Sequence, residues 1–320
     1  MERKSPSNPV KVDRAYLRAV VAAALREDVG VRDLTTQSLI PKGAFAKGEI
    51  LFREEGVVAG LPAVELVFGI IEPKVRFKPM VKDGAVVHPN KAVAFIEGPA
   101  RGILTAERTA LNFLGMLSGI ATMTRRCVEA ARRQAKKGAT PPKILDTRKT
   151  APNLRLLEKY AVAVGGGTPH RMGLYAQVLI KDNHLAILSA LNRERLPDVE
   201  APPPAGSVIE QAVQAARSEN PRKTPVEVEV ENLDQFRQAL SARAEVILLD
   251  NMPMSQVEEA VRIRDAVARS RKGLRAELEV SGGIVPEQVG ALAAAGVDRI
   301  SMGMLTHSAP WLNVALEIVS

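Results

Sequence analysis

Cysteine is almost missing: Cys127 is the only one in 320 residues. That excludes an internal disulfide and a multi-cysteine metal site, and it fits a reducing cytoplasm. Aromatic residues make up only 3% of the chain, so few rings exist to stack on bases as single-strand binders require. No zinc-finger or other nucleic-acid signature is present, and no nucleic-acid partner is expected. No apolar run approaches the ~20 residues that cross a bilayer. The opening MERKSPSNPVKVDR has no apolar stretch to serve as a secretion signal, so neither membrane nor export is expected. No GxGxxG follows a first strand, which argues against a dinucleotide-binding fold.

What is present is positive charge, placed unevenly. Lys plus Arg is 44 against 36 for Asp plus Glu, a net charge of +8. Between Arg101 and Lys181 there are 15 basic residues and 4 acidic ones, a local excess of 11 that leaves the rest of the chain at −3. A cationic middle in an otherwise balanced protein points to an anionic ligand, most simply a phosphorylated or carboxylated metabolite. The 46% hydrophobic content is enough for a sizeable core, and the length suits two domains or one large α/β barrel with an appendage.

The first segment, from Val12 to Arg26, repeats apolar residues at helical spacing. Short strands with Gly and Pro punctuation follow from Ala46 to Gly98, with LPAVELVFGII as a helix among them. A long helix is expected from about Thr105 to Lys137, with Thr105 as its N-cap. After Pro142, seven short apolar runs alternate with amphipathic segments: KILDTRK, AVAVGGG, QVLIKDN, VEVEVEN, EVILLDN, ELEVSGG and DRISMG. Helices are expected at Ser207–Asn220, Leu233–Ala242, Ser255–Ser270 and Pro286–Ala295, and the proline-rich stretch before Gly206 as a loop. Strands alternating with helices indicate a parallel sheet buried on both faces, and seven of them an α/β barrel.

Chemistry in such a barrel sits where strands end. The residues there are Arg148 and Lys149, Lys181, Glu229, Asp250, Ser281 with Gly282 and Gly283, and Gly303. The SGGI turn leads through Pro286 into a helix, and SMGM follows the next strand; two glycine turns in succession favour phosphate binding over tight turns alone. Glu229 and Asp250 can hold Mg²⁺ or a sugar hydroxyl, although isolated acids at strand ends are more often a solvated rim. Glu227 and Glu231 share Glu229's side of the strand, so periodicity does not choose among the three. Arg148, Lys149, Arg171 and Lys181 read as anion receptors, with His170 beside them as a donor or proton carrier. Cys127 reads as packing.

The chain resembles quinolinate phosphoribosyltransferase, also called carboxylating nicotinate-nucleotide pyrophosphorylase. The matching motifs are ALREDVGVRDLTT, AERTALNFLGMLSGIAT, DTRKTAPNLR, EKYAVAVGGGTPHRMGLY, VLIKDNH, VEVEVEN, VILLDNM, LEVSGGI and DRISMGMLTHS, and they span Ala24 to Ser308. The resemblance implies an N-terminal α/β sandwich over residues 1–124, with 306–320 packing on it, and an incomplete α/β barrel of about seven strands over 125–305. It implies an enzyme that joins quinolinate to phosphoribosyl pyrophosphate with Mg²⁺, giving nicotinate mononucleotide, pyrophosphate and carbon dioxide. Quinolinate binding carries over to Arg108, Arg148, His170, Arg171 and Lys181. Phosphoribosyl pyrophosphate binding carries over to Lys149, Glu229, Asp250, Ser281, Gly282, Gly283 and Gly303. Lys149, Glu229 and Asp250 take the catalytic roles, and Glu229 and Asp250 the metal. A homodimer is implied in which Arg108 reaches the partner's site; assembly of such dimers into a hexamer is left open. Ala151 and Asn153 stand where the family commonly has threonine and glycine, and Thr168 and Pro169 where it often has Lys-Asn. A Schiff-base aldolase using Lys181 or Lys149, or a transferase for another aromatic acid, would share parts of this pattern.

Overall fold

The computed structural model describes residues 10–194, 206–270 and 275–319; the three prolines at 202–204 lie outside them. In chain order the elements are α1 (Arg14–Val29), α2 (Leu34–Leu39), β1 (Phe45–Phe52), β2 (Gly56–Val57), α3 (Leu61–Ile71), β3 (Arg76–Pro79), β4 (Val86–Val87), β5 (Lys91–Pro99), α4 (Ala100–Gln134), β6 (Lys143–Leu145), α5 (Arg155–Val164), β7 (Val178–Ile180), α6 (Asp182–Glu194), α7 (Val208–Glu219), β8 (Val226–Val230), α8 (Leu233–Ser241), β9 (Val246–Asp250), α9 (Met254–Ser270), β10 (Glu277–Ser281), α10 (Pro286–Ala295), β11 (Arg299–Ser301), α11 (Met304–His307) and β12 (Val314–Val319). They fall into two compact units. The first holds residues up to Val128, Lys149–Pro169 and Met304 onward; the second holds Glu129–Arg148 and His170–Gly303. No helix among the described residues is long and apolar enough to cross a membrane.

The first unit is built on a four-stranded sheet ordered β12-β1-β5-β3. β1 is antiparallel to both neighbours, and its Ile50 and Phe52 are fully buried. α1 buries Leu17, Val21 and Leu25, one stripe at four-residue spacing. α4 begins at Ala100, so Thr105 is not an N-cap. Its hydroxyl, inside the helix, donates to Asp33 Oδ2 at 3.0 Å, and Asp33 Oδ1 accepts the Thr36 amide at the start of α2. The start moves upstream because β5 runs directly into the helix, leaving no loop in which Thr105 could cap.

The second unit is a parallel sheet of six strands, ordered β6-β11-β10-β9-β8-β7. The expected seventh strand, AVAVGGG, is instead the end of α5. A short Ala/Val run has no period that separates strand from buried helix, and here Leu157, Ala161 and Val162 form a helical stripe in the core. The four amphipathic helices lie where their periodicity puts them. α7 starts on a capping box between Ser207 and Glu210, and α10 runs from Pro286 to a left-handed Gly296 at φ 98°. The helix α6, which begins at Asp182 within KDN, has no counterpart in the sequence reading.

One buried cation fastens the outer layer to this sheet. Arg264 on α9 is 2% exposed. Its guanidinium bonds Asp298 closely, Asp265 at 2.6 Å and the Gly296 carbonyl at 3.1 Å. Asp298 Oδ2 also accepts the Leu278 amide at 2.9 Å. α9, the end of α10 and β10 are thereby joined through one planar donor group. Removing it leaves Asp298, among the described residues, with only Arg275, at 2.7 Å, and the Leu278 amide, and it empties a fully buried site, so Arg264→Ala should lower unfolding stability by about 3 kcal/mol. Arg264→Lys should recover little of this, because the three acceptors are met by three separate guanidinium nitrogens and the ammonium's donors all sit on one atom. Urea denaturation midpoints of the two variants measure the difference.

Candidate active site

Because all six strands of the second unit are parallel, their C-terminal ends share one edge of the sheet. Arg148 lies just past β6, Lys181 just past β7, and Glu229 near the end of β8. Asp250 ends β9, Ser281 ends β10 with Gly282 and Gly283 after it, and Gly303 lies just past β11. Asp250 and Ser281 are register partners. His170 and Arg171 come from the segment preceding β7. These ten sequence-predicted residues all belong to the second unit. Lys149 and Arg108 belong to the first: Arg108 is an exposed residue of α4, and the Lys149 carbonyl accepts the Thr306 hydroxyl at 2.7 Å.

Period-two alternation puts Glu227 and Glu229 on one face of β8, and both are buried, at 0% and 8% exposure. The two then diverge. Glu229 Oε2 accepts Lys181 Nζ at 2.5 Å, which couples an expected quinolinate cation to an expected ribose carboxylate. Glu231 lies beyond the strand, exposed, its amide donating to Gln235 Oε1 at 2.8 Å. That separates the three acids that periodicity could not. Asp250 Oδ2 accepts the Asn251 side-chain amide at 2.8 Å.

Glu227 turns instead to His170. The imidazole Nε2 lies 3.2 Å from Glu279 Oε1 and 3.5 Å from Glu227 Oε2. Burial opposes charge on this ring, while the two carboxylates raise its affinity for a proton on the side that faces them. Nδ1, however, faces the Arg171 amide N–H at 2.8 Å and needs its lone pair to accept it. The amide decides the proton's place, since two N–H groups aimed at each other at that distance repel. His170 is therefore held with its proton on Nε2, toward the carboxylates. Burial raises the Glu279 pKa, but the His170 N–H and Ser301 hydroxyl hydrogen bonds and the Arg299 charge outweigh it and lower the value overall; burial and the Glu279 charge push Glu227 upward. Arg171 is lowered by burial and by the neighbouring Arg148 charge.

The first glycine of the SGG turn is sterically required. Gly282 has φ 95°, and a Cβ there would sit 2.3 Å from Asn251 Oδ1. Asn251 is itself left-handed at φ 52°, and its amide donates to the Ser281 carbonyl at 3.1 Å. The turns after β9 and β10 thus interlock, and only glycine fits the contact. In the first unit, Asn153 stands at φ 64°, a backbone that glycine and asparagine both tolerate, so the departure there preserves the turn.

Sequence reasoning missed Glu279 as a partner of His170, and Gln177 and Arg299 as the groups that meet Glu227 and Glu279. The signal was available: acids at every second position of VEVEV and ELEVS cannot all be solvated in a strand covered on both faces. His170, Glu227 and Glu279 also offer three ligand atoms within 4.8 Å of one another. Arg299 Nε lies 2.8 Å from Glu279 Oε2 as an ion pair, and Ser301 donates to Glu279 Oε1, so a protein cation already neutralises this group. Glu229 and Asp250, on neighbouring strands, offer only carboxylate oxygens, the donor type that hard divalent cations take.

Comparison with known proteins agrees over nearly the whole chain. The model for the quinolinate phosphoribosyl transferase N-terminal domain matches residues 33–118, and that for its C-terminal domain matches 120–317. The nicotinate-nucleotide pyrophosphorylase (carboxylating) of Mycobacterium leprae is 40% identical over 306 residues, covering 94% of this chain and 96% of that one. Quinolinate phosphoribosyltransferase (decarboxylating) 1b of Nicotiana tabacum is 34% identical over 98% of this chain and 85% of its own. The structure of the nicotinate-nucleotide pyrophosphorylase from Francisella tularensis superposes with a TM-score of 0.82 at 33% identity, covering 97% of this chain and 98% of that chain. With both domain models matched in order, and relatives aligned almost end to end, this chain belongs to the quinolinate phosphoribosyl transferase family.

Proposed function

We propose that this chain transfers the phosphoribosyl group of phosphoribosyl pyrophosphate to the pyridine nitrogen of quinolinate, with decarboxylation, giving nicotinate mononucleotide, pyrophosphate and carbon dioxide for NAD biosynthesis. The observation that carries the reading is the Lys181–Glu229 pair at 2.5 Å. It joins an anion-receiving group, Arg148, Arg171 and Lys181, to an acidic and glycine-rich group, Glu229, Asp250, Ser281, Gly282, Gly283 and Gly303. The new C–N bond forms where those two groups meet.

The chemistry follows from charge. Arg148 and Arg171 are placed to receive carboxylates, and Arg171 gains from a forked donor geometry. His170 belongs with them through the Arg171 amide. As pyrophosphate departs, positive charge grows on the ribose, and Glu229 and Asp250 stabilise it. Lys149 and the glycine turns hold the phosphates. The donor set of Glu229 and Asp250 fits Mg²⁺, which when bound supplies charge to neutralise the leaving pyrophosphate. Once the ring nitrogen is alkylated it is cationic; that charge stabilises the electron pair left on the adjacent carbon when its carboxylate departs as carbon dioxide, and this carbon then takes a proton to give nicotinate mononucleotide.

Arg108, on α4 of the first unit, is read as a quinolinate ligand supplied across a homodimer. A two-fold pair then carries two equivalent composite sites.

Release of pyrophosphate and carbon dioxide from quinolinate, phosphoribosyl pyrophosphate and Mg²⁺ is the direct test. Nicotinate, one carboxylate short, leaves a cation unserved and should be disfavoured by ~10⁴ in kcat/KM; comparable use of nicotinate refutes the assignment. Glu229→Ala and Asp250→Ala should cut kcat far more than they weaken quinolinate binding measured by calorimetry, and near-normal turnover at saturating Mg²⁺ removes either from its role. Arg108→Ala and Lys149→Ala homodimers should each be nearly inactive. Unfolded and refolded together, they should regain activity, because a mixed dimer has one site with both lesions and one with neither. Inactive mixed dimers show that Arg108 does not act across the interface.

A further inference from the structure

The segment that carries Arg171 belongs to no regular element. Its backbone between α5 and β7 lacks a sheet ladder, so side chains must hold it. The His170 amide donates to Asp146 Oδ1, just past β6, at 2.7 Å. The Arg171 amide donates to His170 Nδ1 at 2.8 Å, and the Arg171 guanidinium donates to the Gln177 carbonyl at 3.2 Å. Gln177 Nε2 in turn donates to Glu227 Oε2 at 2.6 Å. His170 Nε2 reaches Glu279, which Ser301 and Arg299 of β11 hold from behind. Every one of these links lies within the second unit.

We propose that Glu227 and Glu279 are positioning residues for the quinolinate reaction: acting through Gln177 and through His170 Nδ1, they set the backbone and guanidinium of Arg171 against the interior of the sheet. The proposal rests on the reading of Arg171 as a carboxylate receptor. With one ring nitrogen accepting the Arg171 amide and the other turned to the carboxylates, His170 links the two acids to the Arg171 backbone.

Two features favour a functional purpose over simple packing. Glu227 and Glu279 are both 0% exposed and stand against each other across one imidazole. Glu227 Oε1 has no hydrogen-bond partner. Burying carboxylates this way costs stability that apolar side chains of similar volume would not. What the acids provide, and apolar groups cannot, is directional acceptors at fixed points for a loop with no ladder of its own. An arginine fork must meet a carboxylate in plane, so a small rotation of that loop is enough to spoil the match.

The test uses the full-length protein with Glu227→Gln, Glu279→Gln and Gln177→Ala. Gln177→Ala removes one pin while leaving the Gln177 carbonyl that Arg171 uses, so it reports even if Glu279→Gln fails to fold beside Arg299. In each folded variant the KM for quinolinate should rise roughly ten- to a hundredfold, while kcat and the KM for phosphoribosyl pyrophosphate stay within about twofold of the parent. Unchanged quinolinate KM overturns the proposal. So does a parallel fall in both substrates' parameters with a lowered melting temperature, which marks packing alone, or stoichiometric metal in the parent that Glu279→Gln loses, which makes the cluster a metal site. The ¹⁵N spectrum of the His170 imidazole, assigned by its loss in His170→Gln, provides a readout independent of turnover. Nδ1 should appear unprotonated and hydrogen-bonded in the parent and shift in Glu279→Gln; a protonated Nδ1 in the parent overturns the proposal. If the parent releases no pyrophosphate from quinolinate, the functional reading fails, and the imidazole spectrum still decides the positioning chain.

Discussion

Charge inside a sheet covered on both faces has to be matched within the protein, and this requirement organises the second unit. Glu227, Glu229 and Glu279 all point into the interior, and each finds a cation or a directed donor. Glu229 takes Lys181, Glu279 takes Arg299 and Ser301, and Glu227 takes Gln177 and, with Glu279, His170. Water could serve these groups only at the cost of opening the core, so their partners are fixed in place. The cations at the sheet's C-terminal edge are oriented by acids that the fold already buries.

The same requirement explains a division of labour along β8. Two residues apart on one strand, Glu227 faces the buried network and Glu229 lies toward the edge where Lys181 is 44% exposed. One acid shapes the scaffold, and the other is available to chemistry. Gly282 and Asn251 do for the backbone what these acids do for side chains: the steric contact between two turns leaves one permitted conformation at the ends of β9 and β10.

Much of this was legible in the residues. Amphipathic periods placed α7 to α10, and strand-end positions picked out Lys181, Glu229, Asp250 and the SGG turn, because each depends on local pattern. The failures share a cause. AVAVGGG read as a strand because Ala and Val carry no helical period over so short a run, and only the packing of Leu157, Ala161 and Val162 distinguishes it. Thr105 read as a cap because it precedes an acid, but the chain enters α4 straight from β5. The Glu279–His170–Glu227 group was missed because its members are more than a hundred residues apart at the extremes; alternation told which side each acid takes, not which residue would meet it. The family motifs named His170 but not what holds it.

The C-terminal strand β12 pairs along β1 in register from Lys47↔Val319 to Phe52↔Val314, and Arg53 bonds Glu317 across a separation of 264 residues. During synthesis from the N-terminus, β1 can pair with β5 early, but its other edge stays open until the ribosome has made nearly all the residues described here. The parallel strands of the second unit are complete before that. Translation therefore presents an unpaired edge of the first sheet for most of the chain's emergence, the interval in which such an edge is exposed to stray strands. A nascent chain stalled short of residue 314 would hold a finished parallel sheet and, separately, an N-terminal sheet that cannot close.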